Sequence, residues 1–203
     1  MRYHVIQLAV RPGTTPAALS KLETWLAETG AVARLLACWF TEIGALNQIL
    51  LIFTHDPAGD PFDRAEVAQS DNPFGLAGSL TGWSADTFVS LPFVEPMRPG
   101  SFGPYFEART YLVMPDRMGK TVELWRKVLP GRLTLSPAIG VMHSLTGPVP
   151  RFLHIWPWDS LDGRMRTRAR AVELGLWPPP GGPDHLIAQQ VDIYLAAPFS
   201  PIR

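Results

Sequence analysis

The sequence of 203 residues lacks most of the features that assign a protein class directly. Cys38 is its single cysteine, so no disulfide can form within the chain, and the apolar residues around it indicate an ordinary buried thiol. Lysine plus arginine and aspartate plus glutamate each number 18, a balance that disfavours nucleic acid and anionic membranes as partners. No apolar run approaches the roughly 20 residues that span a bilayer. Strand-like sequence begins at Tyr3, which leaves no room for a leader, so we expect a cytoplasmic protein.

Recognisable cofactor signatures are also lacking. We find no phosphate loop, dinucleotide glycine signature, zinc-ligand spacing or nucleophile elbow in the sequence. We therefore expect no metal site and no tightly bound cofactor.

What the sequence does contain is a weak internal repeat, seen when it is shifted by 103 positions. The gapless identities are Val10 with Val113, Pro12 with Pro115, Leu26 with Leu129, Gly44 with Gly147, Leu50 with Leu153, Ile52 with Ile155 and Asp56 with Asp159. The order of predicted elements supports the repeat more strongly than these identities do.

Both halves are predicted to follow the order βαββαβ of a ferredoxin-like unit. In the first half we predict strands at 3–10, 32–41, 48–54 and 87–93, a helix with Thr15 as N-cap that stops at Gly30, and a helix from Asp60-Pro61 to before Asn72. In the second half we predict strands at 105–113, 138–145, 152–156 and 187–195, and helices at 116–128 and 159–174. The prolines and glycines of 97–103 predict a linker between a first unit, 1–96, and a second unit, 104–203.

Two of the predicted strands, 49–53 and 152–156, carry largely apolar residues on both faces. Helices can cover one face of such a sheet, and the other face also needs cover. The sheet of the other half can provide it, which predicts an α+β fold in which two tandem units pack as a barrel of the dimeric α/β type. Cover by a second chain, in a homodimer, is the alternative.

Four segments carry a family resemblance. They are Trp39-Phe40-Thr41-Glu42-Ile43-Gly44-Ala45-Leu46-Asn47, Glu107-Ala108-Arg109-Thr110-Tyr111, Trp158-Asp159-Ser160-Leu161 and Pro198-Phe199-Ser200-Pro201. They resemble the hairpin, opening strand, helix entry and terminal segment of the NIPSNAP family. The resemblance implies a dimeric α/β-barrel fold and an activity that is poorly defined. Some members are associated with mitochondria and vesicle traffic, and the missing leader here favours a bacterial cytoplasmic member.

Each half keeps a family motif that the other has lost, which suggests one asymmetric site per chain. We expect it to draw on Glu42 and Asn47 from the first half and on Arg109 and Tyr111 from the second. Glu42 is a candidate general base, although a carboxylate and an amide beside a turn often bond only to nearby backbone. If Arg109 is buried it needs a carboxylate partner, for which Glu42 and Glu107 are the candidates.

Two histidines and several aromatic residues complete the candidates. If the hairpin turns on Pro148-Val149, His143 and His154 form a cross-strand pair that could transfer protons or take a metal or heme iron. Trp39 and Trp156 are expected in the core or lining a ligand pocket. The arginines at 164, 166, 168 and 170 are expected on a solvated helix.

The sequence thus leaves three functions open. The first is a protein that binds or transforms a small apolar or aromatic metabolite in a barrel pocket. The second is a non-catalytic interaction protein, and the third, less favoured, is heme handling. A pocket of a few hundred Å³ in which two or more of the polar candidates converge would favour the first.

Overall fold

The structure is a computed structural model that describes residues 1–56, 59–147 and 150–203. The first half contains β1 (Arg2–Val10), α1 (Thr15–Glu28), β2 (Leu35–Ile43), β3 (Gln48–Thr54), α2 (Arg64–Gln69) and β4 (Leu80–Ser90). The second half contains β5 (Tyr105–Val113), α3 (Met118–Leu133), β6 (Gly140–Ser144), β7 (Arg151–Trp158), α4 (Leu161–Glu173) and β8 (Leu186–Ala196). The predicted α+β class and element order are confirmed. Among the described residues, no helix has the length and apolarity needed to cross a membrane.

Some helix and strand ends differ from the prediction for local reasons. The N-cap of α1 is Thr14 rather than Thr15, although the proline lies in the first turn as expected. α2 begins four residues after Asp60, because Asp63 caps it by accepting hydrogen bonds from two backbone N–H groups. β4 starts at Leu80 rather than at 87, since it pairs with β1 along almost its whole length.

The eight strands form one closed barrel in the order β1-β3-β2-β8-β5-β7-β6-β4. Within each half the four strands keep the ferredoxin-like order, β4-β1-β3-β2 and β6-β7-β5-β8. The halves join at two antiparallel seams, β2 with β8 and β4 with β6. The expectation that one chain closes the barrel is therefore confirmed, and a second chain is not needed to cover the inner face.

The C-terminal segment reinforces the β2–β8 seam. Beyond β8, the N–H of Ala197 donates to the carbonyl of Cys38 and the N–H of Ile202 donates to that of Leu36, both at 2.9 Å. The indole of Trp39 donates in turn to the carbonyl of Ile202, at 2.9 Å. Two of the family-like motifs, the hairpin segment and the terminal segment, thus meet at this seam and hold the halves together.

The buried apolar side chains of the described residues form three clusters. The inner cluster lies inside the barrel and takes residues from both halves, with Trp39 stacked on Phe106 at a ring-centroid distance of 4.4 Å. The two outer clusters lie between the sheet and the helices of each half. In α1, for example, Ala18, Leu22 and Leu26 form a buried stripe at helical spacing.

The segment predicted as a linker does more than connect the two halves. Met97 is buried in the inner cluster, and its N–H donates to the hydroxyl of Tyr3 at 2.9 Å. Gly100 forms a parallel bridge with Ile202. The segment therefore packs against the barrel, and the unit boundaries at 96 and 104 stay predictions.

Trp39 should contribute strongly to stability, since it is fully buried and contacts both halves. We expect Trp39→Ala to lower the free energy of unfolding by about 3–5 kcal/mol, measured by urea denaturation. Met165→Ala, at a side chain 63% exposed on α4, is the control and should cost less than about 0.5 kcal/mol. Similar losses in the two variants would contradict the placement of Trp39 at the seam.

Candidate functional site

A cluster of charged side chains lies beneath α4, on the outer face of β5. Residues alternate along the strand, so Glu107, Arg109 and Tyr111 point to the helices while Ala108 and Thr110 point into the barrel. Glu107 is fully buried and Arg109 is 7% exposed. The face that carries the family-like strand motif is therefore the one between sheet and helices, not the barrel interior.

Glu107 is the centre of this cluster. Its Oε1 accepts hydrogen bonds from Arg109 at 3.1 Å and Arg164 at 2.7 Å, and its Oε2 accepts one from the indole of Trp158 at 3.0 Å. Arg168 lies 3.9 Å from the same Oε1. Burial alone would raise the pKa of Glu107, but the Arg164 hydrogen bond and the surrounding guanidinium groups lower it. The predicted ion pair of Arg109 is thus found, and its partner is Glu107 rather than Glu42.

Positive charge exceeds negative charge in this cluster. One carboxylate faces the three guanidinium groups of Arg109, Arg164 and Arg168. A fourth, that of Arg132, is buried over the Trp156 ring at 4.4 Å, and burial together with Arg168 lowers its pKa to about 10. No second carboxylate of the described chain pairs with these four groups. The cluster therefore favours a bound anion.

A pocket of about 250 Å³, the sheet–helix pocket, opens beside the cluster. Its polar wall includes Arg109, Tyr111 and Arg168, and its apolar wall includes Trp125 and Trp177. The Tyr111 hydroxyl accepts from Arg109 Nε at 2.9 Å, so its own proton is free to be donated. Within the described chain, Arg109 Nη2 and the whole Arg168 guanidinium donate no hydrogen bond. Free donors thus converge on a cavity with aromatic walls.

His154 lies behind this pocket rather than in its wall. Its side chain is fully buried, and its Nδ1 accepts a hydrogen bond from the Trp156 indole at 2.6 Å. Burial, followed by the charge of Arg109, lowers the pKa of His154 well below its usual value, so the ring is neutral with its proton on Nε2. Nε2 has no hydrogen-bond partner in the described residues.

The structure does not form the predicted His143–His154 pair. His143 stands opposite Phe152 and His154 opposite Val141, a register two residues from the predicted one. The two rings share the outer face, but they are not direct neighbours across the strands. The turn itself, Pro148-Val149, lies outside the described residues. The prediction of a cross-strand pair was wrong because it took the register from that turn.

The first-half candidates lie elsewhere. Glu42 is exposed at the end of β2, and Asn47 adopts a left-handed turn conformation with φ of 58° and lines an open groove beside α1. Trp39 belongs to the barrel core and Trp156 packs beneath Arg132. The structure therefore brings Arg109 and Tyr111 together in one pocket, whereas it does not bring Glu42 or Asn47 to them.

The expectation of a solvated arginine helix was wrong for half of the run. Arg166 and Arg170 are exposed, but Arg164 and Arg168 turn inward to Glu107. Their i,i+4 spacing places them on one face of α4, which is the signal that could have identified them. Trp177, which lines the pocket from the loop after α4, carried no such signal.

The first half has its own charged cluster at the matching position. His4, which the 103-residue shift aligns with Glu107, is 2% exposed and accepts a hydrogen bond at Nδ1 from Arg64 at 2.8 Å. A guanidinium can only donate, so the neutral ring carries its proton on Nε2, 2.9 Å from His55 Nδ1 and 3.2 Å from Asp60 Oδ1. Sequence reasoning missed this cluster.

The described residues offer little for a metal or heme. They contain no group of three or more His, Cys, Asp or Glu side chains able to hold a metal ion. The rings of Tyr111, Trp125, Trp156 and Trp177 pack around His154 with centroids 4.7–6.0 Å away. A porphyrin could reach His154 only by displacing these rings.

Comparison with known proteins places the chain among relatives of undefined activity. The NIPSNAP family model matches residues 106–201. A curated NipSnap homolog of Dictyostelium discoideum is 25% identical over 144 residues, which cover 70% of this chain and 65% of the homolog. The match thus spans less than two thirds of that relative's length. These matches confirm the family resemblance, and the family model covers the half that holds the sheet–helix pocket.

Solved structures support the fold alone. A monooxygenase-like protein of Fusobacterium nucleatum aligns with a TM-score of 0.64 at 10% identity, over 96% of this chain and 91% of its own. One from Lactobacillus acidophilus aligns with a TM-score of 0.60 at 9% identity, over 96% and 92%. Identities this low carry no information about reaction or ligand.

His4 should make stability depend on pH. Burial, opposed by Asp60 and reinforced by Arg64, lowers its pKa to about 4, against about 6.5 in an unfolded chain. Between these two pKa values the unfolded state binds a proton that the folded state does not. The contribution of His4 to the free energy of unfolding is therefore fully present above pH 6.5 and is lost as the pH falls towards 4. Between pH 7 and 4.5, we expect the free energy of unfolding of the parent to fall by up to about 3 kcal/mol more than that of His4→Gln. Urea denaturation at each pH measures both. Identical pH profiles for variant and parent would contradict a buried neutral His4.

Proposed function

We propose that this chain, whose residues 106–201 match the NIPSNAP family model, binds a small apolar or aromatic metabolite that carries one anionic group, without a tightly bound cofactor. The proposed site is the sheet–helix pocket. This keeps the small-molecule function suggested by the sequence and moves its location from the barrel interior to the space between β5 and the helices.

The free guanidinium of Arg168 is the observation that carries the proposal. Its side chain is one-third exposed, lines the pocket and makes no closer polar contact in the described chain than the 3.9 Å approach to Glu107. Burial, with the charge of Arg109 next, lowers the pKa of Arg168, although the charge of Glu107 opposes this shift. A carboxylate bound between Arg168 and Arg109 would supply the missing negative charge through charge-assisted hydrogen bonds.

The walls and size of the pocket define the rest of the ligand. Trp125, Trp177 and Leu186 present apolar surface, and about 250 Å³ suits a single aromatic ring with a short side chain. Thr121 and Gln189 add polar groups at the edge. The ligand class that fits is an arylacetate or similar aromatic acid.

The pocket supports binding better than acid–base catalysis. Its described lining residues include no carboxylate and no imidazole. Tyr111 stays protonated because burial raises its pKa. A general base that could abstract a proton from a bound ligand is therefore not supplied by this wall.

A non-catalytic interaction protein is the second candidate, favoured by one exposed feature. Leu46 and Ile43, at the tip of the β2–β3 hairpin, are 60% and 48% exposed, and Leu46 lines a groove of about 560 Å³ with Phe40 and Phe199. A second copy of this chain, forming a homodimer, is one partner that such a surface could take. This candidate gains support if the ligand experiment below fails.

Arg168 should determine ligand affinity. We expect phenylacetate to bind the full chain in isothermal titration calorimetry, and Arg168→Gln to weaken it about ten- to a hundredfold, because charge-assisted hydrogen bonds contribute about 1.5–3 kcal/mol. Arg166→Gln, on the exposed face of the same helix, is the matched control and should bind as the parent does. The uncharged 2-phenylethanol should bind more weakly than phenylacetate. Equal affinities in the two variants, or no binding by the parent, would refute the proposal.

A further inference from the structure

The inner wall of the barrel changes from apolar to polar towards one end. Along β1 the inward residues run from Tyr3 through Val5 to Gln7, and along β5 from Phe106 through Ala108 to Thr110. The polar end encloses a cavity of about 300 Å³, the barrel-mouth cavity. It lies on the opposite face of β5 from the sheet–helix pocket.

Two aspartates occupy equivalent places in this cavity. Asp86 of β4 pairs with Val5, and Asp192 of β8 pairs with Ala108. Val5 and Ala108 correspond under the 103-residue shift, so the two carboxylates are related by the internal repeat. Each also lies against the hairpin glycine of the other half. A Cβ at Gly147 would approach Asp86, and one at Gly44 would collide with Asp192.

The two aspartates differ in whether a cationic side chain balances their charge. Asp86 forms an ion pair with Arg151 at 2.8 Å and accepts a hydrogen bond from Thr146 at 2.9 Å. Arg151 pairs with Leu112, and Gln48 pairs with Ala9. Leu112 and Ala9 correspond under the 103-residue shift, so Gln48 is the counterpart of Arg151 in the first half. Asp192 therefore has an uncharged residue where Asp86 has its cation, and in the described chain no lysine or arginine forms an ion pair with it.

Asp192 is buried with one oxygen uncommitted. The residue is 6% exposed, and its Oδ1 accepts from the N–H of Ala45 at 2.8 Å and from Gln190 at 2.9 Å. Its Oδ2 accepts no hydrogen bond from the described residues, yet the residue lines the cavity. The two hydrogen bonds to Oδ1 replace part of the solvation lost on burial, but no lysine or arginine of the described residues balances the charge of Asp192.

We infer that the barrel-mouth cavity is a second binding site, which takes a small molecule bearing an ammonium group that pairs with Asp192. The ammonium donates to Oδ2 and supplies the charge that Arg151 gives to Asp86. Gln7 and Thr110 offer further polar contacts, while Leu50, Phe88 and Leu153 cover an apolar body. The volume corresponds to about ten water molecules, which limits the ligand to a compact amine.

This site is independent of the anion site proposed above, and its ligand has the opposite charge. The two pockets use alternate residues of β5, so a ligand in one does not contact the residues of the other. Failure of the phenylacetate experiment leaves this inference standing, and failure of this inference leaves the anion site standing.

The test uses 2-phenylethylammonium as the probe, with the full chain in isothermal titration calorimetry. We expect one equivalent to bind, at least tenfold more tightly than the uncharged 2-phenylethanol. Asp192→Asn keeps the acceptor for the Ala45 N–H and removes the charge, so it should weaken the probe at least tenfold. Gln48→Arg installs the counterpart of Arg151, and it should weaken the probe to a similar extent without altering Asp192.

Near-ultraviolet circular dichroism reports whether each variant keeps the packing of the parent barrel. The inference is overturned if the parent fails to bind the probe, or if it prefers the alcohol. It is also overturned if a folded Gln48→Arg variant binds the probe as the parent does. Binding that Asp192→Asn leaves unchanged would assign the probe to another surface and overturn the inference as well.

Discussion

Strands that are apolar on both faces must be covered on both sides, and the architecture depends on this requirement. The helices of each half cover the outer faces, and the inner faces have only each other. Closing the barrel within one chain therefore covers the inner faces while the outer faces stay covered by helices. The β2–β8 seam, held by Trp39 and the C-terminal segment, and the β4–β6 seam join the halves into a single inner core.

Few charged side chains lie inside this molecule. Where they do, an excess of one sign indicates the charge of a ligand that could bind there. Beneath α4, several guanidinium groups surround the single carboxylate of Glu107. At the barrel mouth, no lysine or arginine of the described residues forms an ion pair with Asp192, although its counterpart Asp86 pairs with Arg151. Unmatched buried charge lowers stability, so a protein gains from a ligand of opposite sign at each place. The same strand, β5, separates a site suited to an anion from a site suited to a cation.

The sequence predicted the architecture better than the site, for physical reasons. The bounds of β3 and β5 were predicted to the residue, because turn residues mark where each strand-like run begins and ends. The inner face of β5 could not be identified, since both faces carry apolar residues. The contact between Ala45 and Asp192 joins residues 147 apart in sequence and depends on barrel closure. The i,i+4 spacing of Arg164 and Arg168 places them on one face of α4, but the contact of that face with Glu107 depends on how the helix packs on β5.

The two halves repeat a fold but not a charge pattern, and in our proposal this asymmetry creates two different ligand sites. A crystal structure of the full chain grown with both phenylacetate and 2-phenylethylammonium tests it most directly. We expect the carboxylate of phenylacetate to lie between Arg109 and Arg168 and the ammonium group to lie on Asp192. Both pockets empty, or the two ligands exchanged between them, would contradict it.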